Sequence, residues 1–113
     1  MEFETIESND QLTVVALRGR LDVARATALE IELNRLSARR LSVIMDLGGV
    51  DFIASLVIGQ IVAFARGLAR WDCRLVLVRP TPVVDKVLRT TGIDRIIAIV
   101  DDEEQARALV AGA

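Results

Sequence analysis

A serine at position 55 opens the one stretch of this 113-residue chain whose composition and position together suggest chemistry. Phe52 to Ala65 reads FIASLVIGQIVAFA, without a single charge between Asp51 and Arg66. Helical length, small residues and the lack of period-2 alternation predict a helix that starts at Ser55 or just before it. The stretch is too short to cross a bilayer. At the mouth of a helix a serine hydroxyl can accept a hydrogen bond from an orphan backbone N–H, which is the ordinary N-cap role. The same position favours a phosphate, because unpaired amides and the helix dipole point at it. A phosphoserine there would place about two negative charges beside an apolar face, and a partner docked on that face would meet them uncompensated. Apolar residues fall all round this helix. Either neighbouring helices bury the far face or part of it is a contact surface for another protein.

Elsewhere the usual machinery of catalysis is missing. With no His, no Tyr and one Cys, the commonest general base, most metal-ligand sets and any internal disulfide are excluded, so no catalytic, metal or cofactor residue is assigned. Fourteen Lys+Arg against 16 Asp+Glu give a formal charge of −2, and the 13 arginines are scattered rather than blocked, so nucleic acid is not the expected partner. Asp46 ends an apolar run as a phosphoacceptor aspartate would. The acidic pair that would hold Mg²⁺ is absent, and the only lysine, Lys86, falls inside a predicted helix. Gly48-Gly49 alone is not a phosphate loop. Cys73 reads as a small buried hydrophobe, Trp71 as a packing lid, Asp22 as a cap or a border of a partner surface, and Asp51 as a turn residue. The acidic start, Met1-Glu2-Phe3-Glu4, lacks the basic region of a signal peptide, and no apolar run reaches the roughly 18 residues of a membrane span. The expectation is a cytoplasmic protein without membrane insertion.

These residues must be positioned by an alternation of short β-rich runs and longer helical patterns, which is the α/β signature, in one domain over residues 1–113. Phe3–Ser8 and Leu12–Leu17 are predicted to pair as a hairpin across Asn9-Asp10. Gly19-Arg20-Leu21-Asp22 breaks the second run, and Leu29, Leu33 and Leu36 then mark an amphipathic helix. Leu41–Leu47, ended by Gly48-Gly49, together with Cys73–Val78 and Ile96–Val100, are nearly continuous apolar strands, as in a parallel sheet covered on both faces. A helix follows each of the last two. One has Thr81 as N-cap, Pro82 at its first position and Gly92 at a left-handed C-terminus. The other opens on Asp101–Glu104, with Asp101 and Glu104 at capping-box spacing.

In this order the chain resembles the bacterial anti-sigma factor antagonists built on the STAS domain. Gly19-Arg20-Leu21-Asp22 is similar to the family's G-E-L-D. Met45-Asp46-Leu47 followed by Gly49-Val50-Asp51-Phe52-Ile53, and a closing Val87-Leu88 with Thr91-Gly92-Ile93, fall at the family's spacing. The resemblance implies a single STAS-like α/β domain, with a mixed, mostly parallel five-stranded sheet and about four helices, and no catalytic activity. It also implies an anti-sigma factor partner with a serine kinase fold, bound around Asp22, Asp51, Ala54, Ser55, Leu56 and Val57 and released by phosphorylation of Ser55. The family's D-S-S-G motif becomes Ala54-Ser55-Leu56-Val57 here, which keeps the acceptor and changes its three companions. That departure leaves open an alternative without phosphorylation, a STAS scaffold subunit of a sensory complex or of a transporter ATPase, assembling as a homo-oligomer through the second helix.

Overall fold

A computed structural model describes residues 1–111. Five strands, β1 (Glu2–Ser8), β2 (Leu12–Leu21), β3 (Ser42–Ile53), β4 (Leu75–Val78) and β5 (Ala98–Val100), form one sheet in the order β1-β2-β3-β4-β5. The helices are α1 (Ala26–Ala38), α2 (Ser55–Ala69), α3 (Pro82–Thr90) and α4 (Glu103–Ala111). β1 runs antiparallel to β2, and every other neighbouring pair is parallel. This is the α/β architecture with a mixed, mostly parallel five-stranded sheet and four helices. None of the described helices is long and apolar enough to cross a membrane.

Alternation along the strands divides the interior. Val15, Leu17, Met45, Leu47, Leu75 and Leu77 point into the larger core with the buried stripes of α1, α2 and α3. Val14, Ile44, Val76 and Val78 point the other way, onto Ala106, Leu109 and Val110 of α4. Both faces are therefore covered, which is why the strands read as unbroken apolar runs. On α1 the stripe is Leu29, Leu33 and Leu36, as the spacing predicts.

Two strands run further than their sequences suggest. β2 continues through Gly19 to Leu21, and β3 passes Gly48-Gly49 and ends only at Ile53. The register shows how: Ala16 pairs with Asp46 but Arg18 with Gly49, then Gly19 with Val50 but Arg20 with Phe52, so β3 takes up one extra residue at each step. These are β-bulges, and the glycines mark a bend rather than an end. The first bulge is held by the Asp46 carboxylate, which accepts a hydrogen bond from Gly48 N at 2.8 Å and pairs with the Arg79 guanidinium, raising the pKa of that group. Gly19 is needed for a different reason. It has φ +89°, a left-handed conformation that a side chain would strain.

The hairpin forms as expected, with Asn9 Oδ1 accepting from Gln11 N and Leu12 N across the turn. Several caps differ from the sequence expectation. Thr81 precedes α3 but its hydroxyl donates to Val50 O at 2.9 Å, tying that helix to β3 instead of capping it. At α4 the cap is one residue later than expected: Asp102 Oδ1 accepts from Gln105 N, and Gln105 Oε1 accepts from Asp101 N. Gln105 reaches back where Glu104 was expected to, because the helix begins at Glu103. Cys73 lies before β4 and is only partly buried, its thiol donating to Arg40 O. Gly92 takes the left-handed conformation after α3 that its position calls for.

Candidate functional site

Because β2 to β5 are parallel, each strand delivers the chain to the same edge of the sheet and each helix begins there. The connections Asp22–Arg25, Ala54-Ser55 and Thr81-Pro82 therefore sit side by side at the carboxyl ends of β2, β3 and β4, the usual place for a site in an open α/β sheet. Ala54 N donates to Leu21 O at 2.9 Å, which fixes the start of α2 against the end of β2.

The uncharged stretch is divided between two elements. Phe52 and Ile53 finish β3, and α2 begins at Ser55. Ala54 is the N-cap residue and has no side chain able to cap, so the first turn lacks a side-chain cap. Ser55 is the first helical residue. Its hydroxyl is solvent-exposed rather than bonded as a cap, which corrects the N-cap reading of this serine. The apolar wheel also resolves. Val57, Ile58, Ile61, Phe64 and Leu68 are buried as one stripe, while the opposite side carries Ser55, Leu56, Gly59 and Ala63. Apart from Leu56 and the charged Arg66 near the helix end this opposite face is built of small residues, so any large apolar contact is confined to the first turn of the helix.

Leu56 is 52% exposed, and Phe52, just before the helix, is 37% exposed. Val23 in the β2–α1 connection and Val83 in the first turn of α3 are both 64% exposed at the same edge. The Arg20 guanidinium lies 4.3 Å from the Phe52 ring centroid, in cation–π geometry. Asp22 sits between Arg20 at 3.7 Å and Arg25 at 3.5 Å. It precedes a 3₁₀ turn without capping it, and its Oδ1 is buried without a hydrogen bond. Asp51 is the extra residue of the second bulge and is exposed. The topology thus brings Asp22, Ala54, Ser55 and Leu56 to one edge, with Asp51 just before them. Val57, fully buried, can reach a partner only through its backbone. The sequence reading missed Arg20, Val23 and Phe52 as surface groups, because the bulge at Asp51 hides the strand alternation that would have separated Phe52 from the helix. Trp71 was expected to close the core but is 50% exposed, with the Arg40 guanidinium 3.7 Å from its ring centroid.

The arrangement presents the exposed Ser55 at the start of α2. Around that helix start, which lacks a side-chain cap, lies a rim of apolar side chains with charges of both signs. In the comparison with known proteins, a family model described as the STAS domain matches residues 4–106. The chain is 29% identical over 105 residues to BtrV of Bordetella bronchiseptica, whose name makes it an anti-sigma factor antagonist, covering 92% of this chain and 90% of that one. A crystal structure of an anti-sigma factor antagonist from Mycobacterium paratuberculosis superposes with a TM-score of 0.85 at 23% identity, covering 97% of this chain and 95% of the other. The anti-sigma factor antagonist SpoIIAA of Bacillus aligns in its unphosphorylated form with a TM-score of 0.80 at 22% identity over 99% and 98% of the two chains. Its phosphorylated form gives 0.72 at 21% over 96% and 99%. With the family model spanning all five strands and reaching into α4, the chain belongs to the STAS domain family.

Proposed function

We propose that this protein is a non-enzymatic anti-sigma factor antagonist that captures an anti-sigma factor with a serine kinase fold at the edge formed by Asp22, Asp51, Ala54, Ser55, Leu56 and the backbone of Val57. Phosphorylation of Ser55 ends the capture. The observation that carries the reading is the exposure of Ser55 and Leu56 together at the uncapped start of α2. The names of the related proteins and the phosphorylated form of one of them support it.

In the unmodified state Phe52 and Leu56 supply apolar area and Arg20, stacked on Phe52, supplies charge. In the switching step Ser55 Oγ attacks the γ-phosphorus of the kinase-bound ATP, the bond to the β–γ bridging oxygen breaks, ADP leaves, and the hydroxyl proton passes to the kinase's base. The new dianion is held locally by the free first-turn amides and the helix dipole. The chain therefore tolerates it, while a partner surface laid over Leu56 does not. Mixing the protein with a kinase-fold anti-sigma factor encoded in its own genome, with ATP, and mapping modified residues by mass spectrometry tests the switch. The expected result is a single phosphate at Ser55, abolished in Ser55→Ala, which stays bound in the presence of ATP. Binding without modification would remove the switch and keep the capture. It would favour the unphosphorylated module, whose motivating observation is the apolar Leu56 beside the acceptor.

A further inference from the structure

The opposite edge of the sheet carries a second surface. The sequence scatters its arginines, but the fold sorts them. Arg18, Arg20, Arg25, Arg35, Arg79, Arg89 and Arg107 are all in ion pairs. Among the described residues Arg39, Arg40, Arg66, Arg70, Arg74 and Arg95 are exposed and in none, Arg74 donating instead to Leu109 O. Five of these six lie at the C-terminal ends of α1 and α2 and in the connections that follow, and Arg95 lies just before β5, so all belong to the edge where strands begin and helices finish. Trp71 stands among them, half-exposed and stacked by Arg40. The α1–β3 and α2–β4 connections are joined there by the Cys73 thiol donating to Arg40 O at 3.2 Å and by Arg74 N donating to Ser42 Oγ at 2.9 Å. Ile96, 53% exposed, shares a shallow pocket with Ala69, Cys73 and Arg74 and extends the surface toward β5. The acids at this edge outside ion pairs are Asp72 and, in the hairpin turn, Asp10.

We infer that this basic, tryptophan-centred edge is a second docking surface and that its occupant is an acidic protein segment. A helix C-terminus favours a nearby cation, which accounts for one arginine per helix but not for six unpaired ones along one edge of the sheet. Arginine forks match carboxylates bidentately, and Trp and Arg are the residue types that dominate interface energetics. A nucleic acid fits less well: the chain is net negative, and a base stacking on Trp71 would compete with Arg40. A lipid surface would find only Trp71 and Ile96 to insert. The two ends of α2, at 15 residues and 1.5 Å per residue, are about 22 Å apart, so this surface and the Ser55 edge can be occupied together. The inference stands whether or not Ser55 is a phosphoacceptor.

The test is fluorescence anisotropy of the intact protein with a labelled peptide of about twelve residues mixing Glu, Asp and Leu, in buffer of about 50 mM salt, where exposed charges are weakly screened. Saturable binding is expected, weakened at least about tenfold in the double variant Arg39→Glu/Arg70→Glu and at least about fivefold in Trp71→Ala, and unchanged in the control Lys86→Glu, which reverses one charge away from this edge. Replacing the peptide's acids by Gln and Asn should abolish binding to the unaltered protein, a readout independent of how any variant folds. Equal binding by the double variant, no saturable binding, or tighter binding to phosphatidylserine vesicles or a single-stranded oligonucleotide than to the peptide would overturn the assignment.

Discussion

At the scale of residues, two neighbours on one helix have opposite fates because the helix turns 100° between them. Leu56 faces solvent while Val57 is sealed in the core, and the motif position alone does not tell them apart. The contrast is testable within α2. Leu56→Ala should change unfolding free energy by no more than about 0.5 kcal/mol in urea denaturation, since the side chain is exposed, yet weaken capture of the anti-sigma factor at least about tenfold. Phe64→Ala, in the buried stripe, should lose about 3–5 kcal/mol of stability by the same measurement. Loss of stability in the first variant equal to that in the second would show Leu56 to be packed rather than presented. The serine was legible as a candidate because it stands where a helix was expected to start within an uncharged run. Its state as an uncapped, exposed first-turn residue was not, because Ala54 and Ser55 differ in role only once the end of β3 is known.

At the scale of elements, the sheet is closed at its antiparallel edge by a tie between distant parts of the chain. Arg107 on α4 donates to both carboxylate oxygens of Glu7 on β1, at 2.6 and 3.2 Å, and also to Glu103. The hydrogen bond from Arg107 is the main cause that lowers the Glu7 pKa below its ordinary value. A carboxylate whose folded pKa is depressed binds fewer protons in the native state than in the unfolded one. Its contribution is therefore complete above the unfolded value of about 4.3 and is lost as pH falls through the lower folded value. The wild type should lose stability over that acid range more steeply than Glu7→Gln, whose tie does not titrate, as followed by circular dichroism during denaturant titrations at successive pH values. Parallel curves would mean the tie is too solvent-exposed to matter. The bulges of β3 are the other feature that individual elements hide: two extra residues let the strand bend past β2 and bring Phe52 to the surface beside Arg20.

At the scale of the whole molecule, the parallel sheet sets helix starts against helix ends. Among the described residues the eight large apolar side chains that remain exposed are divided, with Val23, Phe52, Leu56 and Val83 at the Ser55 edge, Trp71 and Ile96 at the opposite one and Ile6 and Ile31 apart from both, whereas a stable protein interface needs about 1,000 Å² or more of complementary surface. The expected state of the isolated chain in sedimentation velocity is therefore a monomer. A dimer dispersed by a charge at Leu56 would instead favour the scaffold alternative assembled through α2.

Much of this protein follows from the chain alone. Strand and helix order, the single domain, the amphipathic stripe of α1, the two-sided covering of the sheet and the candidacy of Ser55 all rest on hydrophobic periodicity and turn chemistry, which act over a few residues and survive without tertiary context. The lengths of β2 and β3 did not follow, because a glycine pair reads as a stop until a partner strand shows it to be a bulge. Nor did the exposed side of α2, or the gathering of unpaired arginines along the edge where strands begin. Those depend on which surfaces meet when parallel strands lie side by side, and residues thirty or more positions apart become neighbours only through that packing.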